Sequence, residues 1–208
     1  MQAKEGSSGE PERTFTEAAR RAQIVAAAIE TIAELGYRRA SFAQIAKRAG
    51  LTSTGLISYH FAGKGDLLKQ VVEQIYGEIG EFLTERVASQ ATASAALRAY
   101  IEGNVEFAGK HRPQMKTLLD IFVNGALDYD TEAEQTAVSP VERILRWGQE
   151  TEEFRAFDVR VIATSIQRSV EGPTFLLASD PDLDLQSYSR ELVTLFELAT
   201  HRRPASRA

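Results

Sequence analysis

The residues best suited to chemistry lie between Ser41 and Lys64. Thr52, Ser53, Thr54, Ser58, Tyr59 and His60 place hydroxyl and imidazole groups in one short stretch, interrupted by Gly55, Leu56 and Ile57. Such groups hydrogen-bond to phosphate oxygens and to base edges. Gly55 permits close backbone approach to a ligand. Leu56 suits either a thymine methyl or a core. Ser41 and Lys64 stand at two expected helix starts, where free N–H groups attract anions. Lys64 adds an ammonium, although an ordinary surface lysine has the same local pattern. No Arg lies between Thr52 and His60, so bidentate guanine readout is not available from that segment, and DNA shape and half-site spacing would have to contribute.

Catalytic chemistry has less to work with. The chain has no cysteine, which excludes disulfides and thiolate metal sites. Its histidines are His60, His111 and His201, preceded three residues earlier by Ile57, Ala108 and Leu198, so the Glu-x-x-His pairs of a carboxylate-bridged metal site are missing. Neither a G-x-S-x-G elbow nor a phosphate-binding glycine loop occurs. Glu102 and Glu106 share a helix face, a pattern more typical of a solvated surface than of a catalytic dyad. No catalytic residue, metal ligand or cofactor is expected.

The elements that must position the polar stretch are short helices. Ser41 is an N-cap and Gln44 completes a capping box. Ile45, Ala46 and Ala49 then share a face, and Gly50 supplies the left-handed stop. A second helix starts at Thr52 or Ser53, with Ile57 and Phe61 inward and the polar residues outward. Two helices around a glycine turn make a helix-turn-helix plan; a plain hairpin in a helical bundle has the same periodicity.

The string narrows the choice. AQIAKRAG (residues 43–50), then a glycine, then SYHF (58–61), then Phe61, Lys64 and Leu67 in an FxxKxxL pattern closely resembles the DNA-binding domain of the TetR family of bacterial transcription regulators. The resemblance covers about residues 16–76. LTSTG (51–55) is one residue longer than the family's usual spacing. The resemblance implies three DNA-binding helices on a helical ligand-binding and dimerisation lobe. It puts Tyr59 and His60 at positions that hold the DNA backbone, and it favours phosphate for Lys64. It also implies a ligand cavity among helices 4 to 8, for which Phe107, Met115, Leu119, Phe122, Ile144, Trp147 and Phe175 are lining candidates. Asn104, Gln167 and Glu171 are the polar candidates. Each apolar candidate is also an ordinary core position.

Beyond the motif, the 208 residues read as all-α, with about nine helices. Residues 1–13 are polar and expected to form a mobile tail, 14–76 the DNA-binding domain with its helix-turn-helix at about 41–61, and 77–203 the second domain. Helix 1 is expected from Thr14 or Thr16, helix 4 from Lys64 as the link between lobes. Residues 124–137 read as a loop, with Ser139-Pro140 starting helix 7. Pro173 is expected to kink helix 8, since it must lose the bond to the Ser169 carbonyl. The 3-4 spacing of Leu185, Tyr188, Leu192, Leu195 and Ala199 suggests a packing seam. With Ile162 and Ile166 of helix 8, Tyr188, Leu192, Leu195 and Ala199 are expected to form a homodimer interface, unless the seam packs within its own subunit.

Net charge is −5, but it is uneven. Residues 1–67 hold nine Lys/Arg and seven Asp/Glu (+2); the remainder holds fifteen and twenty-two (−7). A weakly basic lobe on an acidic body would orient the chain toward DNA. No apolar run is long enough to cross a membrane, and a cytoplasmic setting fits. The expected partners are double-stranded DNA, a second copy and a small-molecule effector whose identity the sequence does not give. The expected function is a ligand-responsive repressor. An activator, or a helical small-molecule-binding protein without specific DNA binding, are the alternatives.

Overall fold

In the computed structural model, which describes residues 10–125 and 131–202, nine α-helices form two cores and no strand runs among the described residues. They are α1 (Glu10–Leu35), α2 (Phe42–Arg48), α3 (Gly55–His60), α4 (Lys64–Ala88), α5 (Ala93–Lys110), α6 (Arg112–Val123), α7 (Thr131–Glu150), α8 (Val159–Ser179) and α9 (Leu185–Thr200).

The first core closes the N-terminal lobe. Ile24, Ala28 and Ile32 form the inner stripe of α1 and meet Ile45, Ile57, Phe61 and Leu67. Burying side chains of this size is worth roughly 1.5–3 kcal/mol each, which holds α2 and α3 although each is too short to persist alone. Ser41 caps α2 with the expected capping box, and Gly50 follows at φ +66°. Phe107, Met115, Leu118 and Ile121 extend this core into α5 and α6, so the two lobes share packed side chains.

Two boundaries differ from the expectations. α1 begins at Glu10 and not near Thr14 or Thr16; a proline is tolerated in a helix's first turn, and acidic residues there favour the dipole. Of the expected tail at residues 1–13, residues 10–13 belong to α1 and 1–9 lie outside the described residues. α7 begins at Thr131, so the second half of the expected 124–137 loop is helical, and Pro140 lies inside the helix instead of starting it. The run EAEQ before it consists of strong helix formers. Residues 126–130 are outside the description.

The second core joins α5, α7, α8 and α9 through Leu97, Ile101, Val141, Leu145, Ile166 and Phe196. Here Pro173 lies within an uninterrupted α8. The Ser169 carbonyl that it deprives of a donor is served from α9: the Tyr188 hydroxyl donates to it at 2.9 Å. Gly172 makes the room, since a Cβ there would sit 2.3 Å from the Tyr188 oxygen. The expected weak point of α8 is therefore braced. Tyr188→Phe is expected to lower the unfolding free energy by about 1 kcal/mol, through the orphaned carbonyl; denaturant titration checks it, and an unchanged midpoint would mean that the bond carries no stability.

Candidate DNA interface and ligand cavity

α3 is six residues long and starts later than either expected position: Thr54 occupies the N-cap without a side-chain cap bond, and Thr52 and Ser53 precede it. Without a hydroxyl bonding back to the backbone, the segment 51–54 stays outside the helix. Thr52, Ser53, Thr54, Gly55, Leu56, Ser58 and Tyr59 are all exposed, Tyr59 at 74%, while Ile57 and Phe61 are buried. His60 is half-buried; its ring meets Tyr59 edge-on at 5.0 Å, and its Nδ1 is enclosed without a partner.

The frame behind this face is stitched by side chains that the sequence did not single out. Arg21 of α1 donates to the His60 carbonyl and lies 4.7 Å above the Phe61 ring. Gln23 donates to the Ala49 carbonyl at 2.7 Å, closing the end of α2. Arg48 pairs with Glu30 and Glu34 of α1. These cations are committed within the lobe, whereas Lys47 on α2 and Arg38 before it are exposed. The signal for Arg21 was its helical register with the α1 stripe, which spacing alone cannot separate from a solvated pattern; Arg48, on α2, pairs across helices and had no local signal.

Lys64, expected to hold phosphate, also has a partner inside the lobe. Its Nζ donates to the Tyr37 carbonyl at 2.8 Å and lies 4.1 Å from the centre of the Tyr37 ring. Burial holds its ammonium below the usual lysine range. The Tyr37 N–H, on the other side of the same residue, donates to the carboxylate of Asp120 on α6. Asp120 also accepts from Asn124 at 2.9 Å, and the neighbouring Thr117 hydroxyl donates to the Ile29 carbonyl of α1 at 2.9 Å. Tyr37 is thus gripped by α4 and α6 four residues before Ser41. A lone acid in the apolar pattern of α6 was the available signal for Asp120.

α6 also walls a cavity of about 420 Å³, within the range of small-molecule sites. Of the expected lining residues, Phe107, Met115, Leu119, Phe122, Glu171 and Phe175 border it, as do Asn104 and Gln167. Ile144 and Trp147 do not. Ile144 is buried in the second core and Trp147 packs against it; on α7 it is Ala137 and Pro140, about two turns and one turn before Ile144, that reach the cavity. A polar chain crosses one wall. The Tyr100 hydroxyl donates to Gln167 Oε1 at 2.6 Å, Gln167 Nε2 to Glu171 at 2.9 Å, and Arg168 to Glu171 at 2.7 Å. Burial first, then the charge of Glu171, pushes the Tyr100 phenol well above its ordinary value, so it remains a donor.

The expected interface residues divide. Leu195 is exposed. Ile162 and Leu192 are half-buried against their own subunit's second core, and Ala199 is half-buried. Ile166 is 0% exposed and is corrected to internal packing, while Tyr188 is half-buried with its hydroxyl bonded within the subunit. The reason is the helical turn: a seam read at 3-4 spacing spans both the inward and the outward side of α9. Val161 and Leu198, which the sequence reading passed over, are exposed at 59% and 78%.

Comparison with known proteins bears on the N-terminal lobe first. The model of the tetR family of bacterial regulatory proteins matches residues 24–71, the lobe that carries α2 and α3. This lobe of the chain is similar to the DNA-binding part of that family. Among relatives, the HTH-type transcriptional regulator BetI 1 of Chromohalobacter salexigens is 39% identical over 101 residues, covering 48% of this chain and 50% of that protein. BetI of Cronobacter sakazakii is 36% identical over 107 residues, 50% and 52% of the two. The chain spans about half the length of these curated relatives. Solved structures match more of it. FadR of Bacillus subtilis, in complex with stearoyl-CoA, superposes with TM-score 0.74 at 25% identity over 86% of this chain and 99% of that one. FadR of Bacillus halodurans gives 0.76 at 20% identity over 91% and 96%, a likeness of fold.

One feature of the α3 face can be tested without DNA. A Cβ on Gly55 would meet nothing closer than Ser53 Oγ at 3.4 Å, and its φ is not positive. Gly55→Ala is therefore expected to keep the melting temperature or to raise stability by up to about 1 kcal/mol through helix propensity. Calorimetry checks this; a fall would mean that the fold itself requires the glycine.

Proposed function

We propose that this chain is a tetR-family, sequence-specific DNA-binding transcription regulator, a repressor that a small-molecule effector releases, acting as a homodimer. The observation that carries the reading is the outward face of α3: every residue from Thr52 to Tyr59 except Ile57 is exposed, and the backbone beneath is fixed by Arg21, Gln23 and the buried Ile57–Phe61 pair. A rigid polar helix without an internal use for its hydroxyls suits the major groove. Thr52, Ser53, Thr54, Ser58, Tyr59 and His60 would contact backbone and bases, with Gly55 and Leu56 at closest approach and Ser41 at the start of α2. Lys47 and Arg38 would take the phosphate role expected of Lys64, whose ammonium braces Tyr37.

Dimerisation would use the outward residues of α8 and α9, with Val161, Leu195 and Leu198 at its centre. It would hold the two α3 helices about 34–36 Å apart, one turn of DNA. An effector in the cavity acts only through its difference in affinity for the bound and released shapes. α6 is the route: its inner side lines the cavity and its Asp120 holds Tyr37, so a shift of α6 moves the entry to α2 and the start of α4 together.

Genomic fragments retained by the purified protein test this reading. The expected result is a narrow set of inverted-repeat sites, bound more weakly as salt rises and lost with Gly55→Ala. Diffuse retention, or none, would instead favour a helical small-molecule-binding protein. Leu195→Glu with Leu198→Glu is expected to give a folded monomer by sedimentation; a dimer that persists would move the interface elsewhere.

A further inference from the structure

The chemistry of the cavity wall limits what can occupy it. Most of its polar groups belong to two helix faces, Tyr100 and Asn104 on α5 and Gln167, Arg168, Glu171 and Thr174 on α8; the opposite walls, from α4 and α6, are mainly apolar, with Ile79, Leu118, Leu119 and Phe122 among them and Tyr76 of α4 as the polar exception. Arg168 and Glu171 are the only charged groups among the described lining residues, and they neutralise each other at 2.7 Å. Among the described lining residues an ion buried here would meet no unpaired counter-charge, and burying a charge without one is strongly unfavourable.

Hydrogen-bonding capacity does remain. Tyr100 and Gln167 are 3% and 6% exposed. With Tyr100 donating to Gln167 Oε1 and Gln167 Nε2 donating to Glu171, the phenol oxygen still has an accepting lone pair and the Gln167 amide a second N–H. Asn104 uses its amide on the Tyr100 carbonyl at 2.8 Å, which leaves its side-chain oxygen as an acceptor. A donor and two acceptors next to an apolar chamber recognise a hydroxyl, or a carbonyl beside one.

We propose that the cavity takes an uncharged, predominantly apolar molecule carrying a hydroxyl or carbonyl group, which Tyr100, Asn104 and Gln167 read. Tyr100 and Gln167 are the specificity-determining residues, and a buried carboxylate, ammonium or phosphate is rejected. The B. subtilis FadR complex holds stearoyl-CoA, a thioester with an anionic head; in this chain such a head finds no unpaired cation on the described wall. This inference rests on the cavity being an effector site, as in the function proposed above.

A series of equal chain length tests it on the full-length protein: decan-1-ol, decanoate, decylammonium and decanoyl-CoA, measured by calorimetric titration. The alcohol is expected to bind at least about tenfold more tightly than the ions, the margin of one unmade charge-stabilising contact. Tyr100→Phe is expected to weaken the alcohol about three- to tenfold, while decanoate is unmoved. Equal or tighter binding of decanoate, decylammonium or decanoyl-CoA overturns the proposal, as does binding of none of the four. The wild-type series keeps the test valid should Tyr100→Phe fail to fold. Fragment retention, run without any ligand, reports separately on DNA binding, so loss of one reading leaves the other standing.

Discussion

One residue, Tyr37, joins the two halves of the molecule. Its N–H is held by the Asp120 carboxylate from α6 and its carbonyl by the Lys64 ammonium from α4, whose charge also lies over its ring. Bonds to charged groups contribute about 1.5–3 kcal/mol, more than neutral ones. Tyr37 sits at the exit of α1, immediately before the Ser41 cap of α2, and Lys64 is the first residue of α4. The helix-turn-helix cannot tilt against the C-terminal lobe without straining both bonds. The α1–α6 packing, with Thr117 on the Ile29 carbonyl, makes the same joint broader.

How much of this was legible depended on the range of the interaction. The capping box at Ser41, the stop at Gly50, the start of α4 at Lys64 and the inward pair Ile57 and Phe61 are local, and the sequence states them directly. The start of α7 was misread because Ser139-Pro140 has a strong local meaning that the upstream helix formers override. Lys64 was only half legible: the motif gives its position, but the partner it holds within the fold is the Tyr37 carbonyl, 27 residues away. Asp120 with Tyr37, 83 residues apart, lies beyond any pattern in the chain.

The cavity and the outer surface repeat that lesson. Eight of the ten residues expected on the wall border it, because α5, α6 and α8 each turn one stripe toward a shared centre. Ile144 and Trp147 lie on α7, which offers the cavity only its first half. On α9 the 3-4 seam mixes both faces, and only solvent exposure separates Leu195 and Leu198 from Val193 and Phe196. Tyr188, an apparent interface residue, answers a need that Pro173 creates within its own subunit.

The most direct measurement of the joint is hydrogen exchange on the wild type and on Asp120→Asn, which keeps the shape of the side chain and removes its charge. Faster exchange is expected at Tyr37 and through α2 and α3, with the core amides of α5 and α8 unchanged. Unaltered exchange across residues 36–61 would contradict the central role of the Asp120–Tyr37–Lys64 grip, and coupling between cavity and helix-turn-helix would then have to run through the α4 core alone.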